Sequence, residues 1–163
     1  MRLWLCSSIG ESKRLISARL VVRLHPQPPG IMFIRFISGE IDDDSHVPAG
    51  LFCAAYELRC SYALPQYELD ALDELRDWFN LYLESPLDYL PRRKRYDLGV
   101  CWFKSTAREH LTKAWELVTI LERNDVLIWT IRAPRTGYVY YEDAVQVFAV
   151  PYYDSRRRLT RLR

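Results

Sequence analysis

The residues best suited to chemistry in this sequence are the acidic side chains of segment 40–46, which reads EIDDDSH. In an extended backbone Asp42, Asp44 and His46 face the same side, and two carboxylates with one imidazole are ligands for a divalent metal ion. The segment lacks the glycine and the terminal glutamate of an EF-hand loop. The pattern therefore predicts either a metal-dependent hydrolase that uses the Glu40–His46 loop or a solvated loop in which an Asp or Ser caps the next helix.

The second chemical feature is a basic run, Arg92–Arg95, flanked by Tyr89 and Tyr96. Basic side chains contact phosphates and aromatic rings stack on bases, which is the combination that single-strand-binding proteins use. The sequence contains no RNP-like or helix-turn-helix signature. Single-stranded nucleic acid is therefore one alternative ligand, and the other interpretation is a basic loop that partly neutralises the acid nearby.

No known catalytic motif occurs in the sequence, which has no GxSxG, Walker A, GxGxxG or HExxH pattern. Cys101, near Lys104, would have a lowered thiol pKa if it lay at a helix N-terminus, and buried packing is the alternative. His110 beside Glu109 would be a more distant metal ligand or a packing residue. We therefore assign no catalytic residue and no cofactor, and we favour a protein that is not an enzyme.

Aromatic residues that occur together with arginine also suit a protein partner, because interface centres are enriched in both. This role needs no special chemistry, so we predict a non-enzymatic partner-binding or regulatory module. The partner would be a protein that the sequence does not identify, while a homodimer and nucleic acid stay open and a membrane is not expected. The candidate binding residues are Arg92, Arg93, Lys94, Arg95, Trp102, Phe103, Lys104, Tyr138 and Tyr140.

The charge of the chain is unevenly distributed along its 163 residues. Residues 1–31 have five basic residues and one acidic residue, residues 154–163 also have five and one, and residues 32–153 have 13 basic and 19 acidic residues, a net charge of −6. We expect one domain at 32–153, a basic extension at 1–31 that is disordered or not part of the native fold, and a basic tail at 154–163. A domain with a net negative charge repels a polyanion, so the charge distribution argues against a protein that binds nucleic acid through a generally basic surface.

The four cysteines form no CxxC pair and have no zinc-site spacing. Cys53 and Cys60 are seven residues apart, on one face of a helix, and we expect them to be reduced thiols. No apolar run approaches the roughly 18 residues that a membrane span requires. These features indicate a cytoplasmic protein.

Hydrophobic periodicity predicts three helices and four strands. The apolar stripe of the longest helix consists of Ala107, Leu111, Ala114, Val118 and Leu121, and Thr106 with Glu109 has the form of a capping box. The fold class is α+β, one domain in the order β-α-α-α-β-β-β, with three helices packed on one face of a four-stranded sheet. A parallel pairing of the first two strands, which would make the sheet mixed, stays open. The predicted elements are strand 32–38, helices 51–60, 65–83 and 106–125, and an antiparallel meander of strands 126–132, 138–141 and 145–150.

The faces of this sheet depend on the last hairpin, for which two registers are open. Either Tyr140 or Tyr141 pairs with Val145, and a slip of one residue moves every side chain to the other face. We favour the pairing of Tyr141 with Val145, because it places Leu127, Trp129 and Ile131 in the core under the helices. The residues left on the open face are then Thr130, Arg132, Tyr138, Tyr140, Gln146 and Phe148.

Segment 32–151 resembles a group of uncharacterised bacterial proteins that share a Trp-Phe-basic segment, a long helix and a C-terminal β-meander. Arg135-Thr136 stands where the group would have proline directly before glycine. The resemblance implies a bacterial cytoplasmic protein and carries over no activity. The matching residues are Trp102, Phe103, Lys104, Gly137, Tyr141, Glu142 and Asp143.

Overall fold

The computed structural model describes residues 30–41, 48–61, 64–89 and 99–152. The predicted tail, and the predicted extension apart from Gly30 and Ile31, lie outside these ranges. The described elements form one α+β domain with three helices and a curled antiparallel sheet. Their bounds are β1 Phe33–Ile41, β2 Pro48–Gly50, α1 Leu51–Cys60, α2 Gln66–Tyr82, a one-turn 3-10 helix Pro86–Tyr89, β3 Val100–Lys104, α3 Arg108–Arg123, β4 Ile128–Ala133, β5 Tyr138–Glu142 and β6 Gln146–Val150.

The predicted strand count and order were wrong, because two strands lie among the elements assigned to helices and loops. The short β2 directly precedes α1, and β3 lies between α2 and α3. Strand β3 contains Trp102, Phe103 and Lys104, which we had left outside the predicted strands, directly before the long helix. Its valine and aromatic residues favour a strand. The predicted capping box also does not form, since α3 begins at Arg108 without a side-chain cap.

Helices α2 and α3 pack antiparallel through their apolar faces, that of α3 being the predicted stripe. Near one end Asn124 Nδ2 donates to Glu68 Oε2 at 2.7 Å, and at the other His110 Nε2 lies 3.1 Å from the Tyr82 carbonyl oxygen. The sheet adds Phe36, Phe103 and Ile128 to this core. The buried helical residues that form it include Leu72, Leu75, Phe79, Ala114, Leu117, Val118 and Leu121.

Strand β1 organises the sheet because it has three antiparallel partners. Strand β4 pairs with one edge of β1, along Phe33–Ser38. Two strands share the opposite edge of β1: β3 pairs with Phe33 and Ile34, and β2 pairs with Ile37 and Ile41. Among the described strands every pairing is antiparallel, so the mixed sheet that had stayed open does not occur there.

The sheet must curl, because its two outer strands are joined by a short connection. Reading from β4 through β1, β3 and β6 to β5, the outer strands are β4 and β5. In a flat sheet Ala133 and Tyr138 would be roughly 25 Å apart, given strand spacings near 4.8 Å and their places at opposite ends of the strands. A fully extended chain spans at most about 18 Å over the five positions from Ala133 to Tyr138, so a flat sheet could not be connected in this way. The predicted meander was therefore wrong: only β5 and β6 form its hairpin.

The curl creates a second core on the face away from the helices. Phe33, Val100, Trp102, Val147 and Ala149 are buried there, and Ile131, Ala133 and Val139 pack against them. Because Ile131 shares this face with Trp129, the predicted placement of Trp129 under the helices was wrong. Ile128 packs against the helices instead. The sheet therefore buries apolar residues on both faces.

Neither predicted hairpin register occurs in the structure. Tyr141 pairs with Phe148 and Glu142 with Val147, with an irregularity between Val139 and Tyr141. The turn is longer than predicted because the Asp143 carboxylate accepts backbone N–H bonds within it. Tyr141 and Phe148 consequently pack together, on the opposite side from Val139 and Val147.

Candidate functional site

Two of the predicted sites lie outside the described residues. These are the acidic loop with Asp42, Asp44 and His46, and the basic run Arg92–Arg95. Within residues 30–41, 48–61, 64–89 and 99–152, no group of three or more His, Cys, Asp or Glu side chains is placed to hold a metal ion. In the same ranges no helix combines the length and the apolar character needed to cross a membrane.

The described candidates on β3 are mostly interior. Trp102 and Phe103 are both buried, on opposite faces of the sheet, in the second core and the helix-side core respectively. Lys104 donates to Glu142 Oε1 at 2.8 Å and to the backbone carbonyl of Asp143. Their burial favours packing and anchoring roles, so their part in binding stays a prediction. Cys101 lies within β3 and away from the start of α3, where a lowered thiol pKa had been considered.

His110 is placed between α2 and α3. Besides its contact with the Tyr82 carbonyl oxygen, its ring packs against Trp78 with the ring centroids 4.9 Å apart. This is the packing alternative that we had weighed against a metal-ligand role.

One polar arrangement among the described residues, which we call the tyrosine–carboxylate cluster, consists of Glu84, Tyr89, Tyr141, Asp143 and Gln146. Tyr89 donates to Glu84 Oε2 at 2.7 Å, and Tyr141 lies 2.9 Å from Asp143 Oδ2 and 3.2 Å from Glu84 Oε2. The Gln146 amide donates to the Glu84 carbonyl at 2.6 Å. The two tyrosine rings stack with centroids 5.2 Å apart. The cluster thus fastens the segment after α2 to the β5–β6 hairpin.

Asp143 occupies the centre of this cluster. Its Oδ1 accepts the backbone N–H groups of Val145 and Gln146 at 2.6 and 2.7 Å, while Oδ2 faces Tyr141 and the Gln146 amide. Both carboxylate oxygens are therefore occupied by donors of the protein itself. A carboxylate that is saturated in this way stabilises a turn, and it is poorly disposed to take a proton from a substrate.

The neighbouring carboxylates keep both tyrosines of the cluster protonated. The hydrogen bond to Glu84 raises the pKa of Tyr89 to about 12, and burial together with Asp143 raises the pKa of Tyr141 well above its usual range. Around neutral pH both hydroxyls are hydrogen-bond donors, and neither is a phenolate that would act as a base or a nucleophile. The cluster is suited to holding structure.

We expect alkaline pH to destabilise the protein through these two tyrosines. Because their pKa values are raised in the fold, their contribution is complete below the ordinary tyrosine pKa of about 10 and is lost as the pH rises towards 12. Between pH 9 and 12 the urea midpoint of the wild type should therefore fall more steeply than that of the Tyr89→Phe/Tyr141→Phe variant. Tyr67→Phe, on the exposed side of α2, is the control and should follow the wild type. Equal slopes in all three proteins would contradict the assignment.

Sequence reasoning found only part of this cluster. Tyr141 and Asp143 of the cluster are among the residues of the family resemblance. Lys104 and Glu142, also in that resemblance, form an ion pair beside the cluster. Glu84 and Gln146 were missed as site residues, and Tyr89 was considered only for base stacking. No sequence signal marks Glu84, because its contact with Tyr141 joins residues 57 positions apart.

A second feature is the segment from Leu127 to Tyr138, which we call the Arg–aromatic segment and which has several exposed side chains. Trp129 and Tyr138 are each about half exposed, at 50% and 49%, and Leu127 is exposed at 67%. Arg132 and Arg135 are also exposed, and from 126 to 141 they are the only charged residues. Of these, Tyr138 was a predicted binding residue. Tyr140, the other predicted residue on β5, is half-buried against Tyr141 and Phe148.

A groove of about 460 Å³ also lies between α2 and α3. Its charged lining residues are of both signs, and two of them, Lys113 and Glu116, form an ion pair at 2.8 Å. The groove therefore lacks a set of polar groups directed at a common ligand.

Comparison of the chain with protein-family models, with curated proteins and with solved structures finds no match.

Proposed function

We propose that the protein is a non-enzymatic partner-binding module and that its contact surface includes the Arg–aromatic segment, Leu127–Tyr138. The observation that carries the proposal is the exposure of Trp129 and Tyr138 next to the exposed arginines Arg132 and Arg135. Tryptophan, tyrosine and arginine are the residue types most enriched among those that dominate binding energy at protein interfaces.

The energetics of exposure support this choice. Burying a large apolar side chain is worth about 1.5–3 kcal/mol, so the fold forgoes part of this gain at Leu127 and at Trp129. A partner that covers them would recover it. The ionisable groups of the tyrosine–carboxylate cluster, in contrast, are already paired within the protein. The distribution of contacts thus favours a surface for binding over a site for catalysis.

Single-stranded nucleic acid is the second candidate, since exposed aromatic rings beside arginines and free of acid also suit stacking and phosphate contact. The predicted Arg92–Arg95 run would add to it. A metal-dependent hydrolase based on the Glu40–His46 loop stays a separate hypothesis. It would be tested by calorimetric titration with Mg²⁺, Mn²⁺ and Zn²⁺.

Photo-crosslinking tests the proposal directly. We expect a variant with p-benzoylphenylalanine in place of Tyr138 to form an adduct with another polypeptide in a lysate of the source organism. The same substitution at Tyr67, which is 70% exposed on α2, should not form it. Adding Arg132→Glu and Arg135→Glu should abolish the adduct, because charged rim residues steer association.

Two outcomes would count against this assignment. If position 138 forms no adduct, or only the adducts formed at position 67, the surface does not bind a specific protein. If the adduct contains nucleic acid and no second polypeptide, the nucleic-acid candidate replaces the first one.

A further inference from the structure

The outer edge of β4, which has no second partner among the described strands, offers a docking geometry that the exposed side chains alone do not define. Strand β4 pairs with β1 through six consecutive residue pairs, from Ile128 with Ser38 to Ala133 with Phe33, without a bulge. Among the strands described by the structure, β1 is its only partner. Every second residue of β4 therefore directs its N–H and C=O groups away from the sheet. A regular edge of this kind is a template for one more strand.

The two faces of β4 differ in chemistry. Trp129 lies on the face of the second core, with Ile131, and Arg132 lies on the helix face, opposite Ile34. An added strand would place alternate side chains on these two faces, because side chains alternate along a strand. Apolar residues would meet Trp129, and acidic residues would meet Arg132.

We propose that the β4 edge binds an extended segment of a protein partner in which acidic and apolar residues alternate. The inference rests on the proposed function and specifies the partner for the same surface. Main-chain hydrogen bonds to the edge supply affinity, and the side-chain alternation supplies specificity. The positive charge of the Arg–aromatic segment selects an acidic occupant, because Arg132 and Arg135 are the only charged residues from 126 to 141.

The same charge argument disfavours a second copy of the chain as the occupant. Two copies of β4 paired edge to edge would bring Arg132 from each copy to the new ladder, with no carboxylate from either strand to pair with it. Like charges close together across a ladder are destabilising. An acidic segment removes this repulsion and pairs with the guanidinium group.

The experiment uses the full chain and two synthetic peptides, acetyl-(Glu-Val)5-amide and acetyl-(Lys-Val)5-amide, with the oligonucleotide dT15 as a third probe. We expect the Glu-Val peptide to slow hydrogen exchange of alternate β4 amides by about tenfold or more, because only outward-pointing N–H groups gain a partner. The Lys-Val peptide should have no effect. Arg132→Glu should abolish the protection by the Glu-Val peptide, whereas Arg132→Lys, which keeps the charge, should retain it.

The outcomes separate this inference from the proposed function. If neither peptide protects β4 but the Tyr138 crosslink to a protein still forms, the strand-addition inference is wrong and the binding surface stands. If β4 amides are protected without peptide in a manner that depends on protein concentration, the occupant is a second copy. If dT15 perturbs β4 and the peptides do not, both the inference and the protein-binding assignment are overturned.

Discussion

Replacing Asp143 by alanine is expected to lower the free energy of unfolding by about 3–5 kcal/mol, since hydrogen bonds to a charged group contribute about 1.5–3 kcal/mol each and are not additive. The substitution leaves the N–H groups of Val145 and Gln146 without the acceptor that shapes the turn. It also removes the nearer of the two acceptors of the Tyr141 hydroxyl. Urea unfolding followed by circular dichroism would measure the loss. Asp143→Asn, which keeps one acceptor oxygen for the turn, should recover part of it.

The neighbouring carboxylate is the matched control for this prediction. Glu142 carries the same charge at the adjoining end of β5, but its side chain is 46% exposed, and its partner Lys104 would keep the Asp143 carbonyl oxygen as an acceptor. Glu142→Ala should therefore cost only about 1 kcal/mol or less, the usual value for such pairs. If the two alanine variants were equally stable, Asp143 would contribute only its charge, and the account of the tyrosine–carboxylate cluster as a structural fastening would be wrong.

Replacing Gly137 by alanine is the second change with a large expected effect, about 2–6 kcal/mol of destabilisation. Gly137 has φ +128°, which an L side chain rarely adopts, and strain of this kind costs about 1–3 kcal/mol. An added methyl group would also overlap the carbonyl oxygen of Val150 and lie 2.9 Å from the Cα atom of Pro151. Neither backbone group can rotate away, so overpacking adds about 1–3 kcal/mol.

Gly30 allows the two contributions to be separated. It also has a positive φ, +105°, but a methyl group there would meet no atom of the described residues within 4 Å. Gly30→Ala should therefore show only the conformational strain, about 1 kcal/mol. Thermal unfolding of both variants would measure the difference. A Gly137→Ala variant as stable as Gly30→Ala would mean that the connection between β4 and β5 does not lie tightly against the end of β6.

Both predictions concern the framework that presents the proposed binding surface. Residues 134–137 connect the two outer strands of the curled sheet, β4 and β5. Arg135 lies in this connection, and Tyr138 directly follows it. Loosening Gly137 should therefore weaken partner binding as well as stability. Asp143 lies in the hairpin turn at the far end of β5, so Asp143→Ala should affect binding mainly through the stability of the fold.

The helices could be predicted from the sequence because their signal is local. The apolar stripes of α2 and α3 recur at helical spacing, and Leu72, Phe79, Ala114, Val118 and Leu121 are buried as that spacing indicates. The strand segments after α3 were found for a similar reason, since β-branched and aromatic residues concentrate there. Their bounds differ from the prediction by two residues or fewer.

The partners of the strands, in contrast, are decided by contacts between distant residues. Strand β3 contains the five residues Val100–Lys104, too few for their alternation to separate a strand from the approach to a helix. The longer hairpin turn depends on the Asp143 side chain, which binds two backbone N–H groups, and a change of register exchanges the faces of the strand. Trp129 was expected under the helices because β4 was assigned to a meander with β5. It pairs with β1 instead, with Ile128 towards the helices, and Trp129 therefore lies on the other face.

The sequence by itself determined the class of fold, the two long amphipathic helices and the presence of Tyr138 among the candidate binding residues, because these follow from local periodicity and residue type. Only the tertiary structure decided that β1 lies between β4 and β3, that the sheet curls and that Glu84 meets Tyr141. Each of these features joins chain segments that are far apart in sequence. Such segments become neighbours only when the sheet forms and buries apolar residues on both of its faces. The outer edge of β4, on which the proposed docking rests, is such a feature: among the described strands β5 pairs with β6, and β4 is left at the border of the sheet with β1 as its partner.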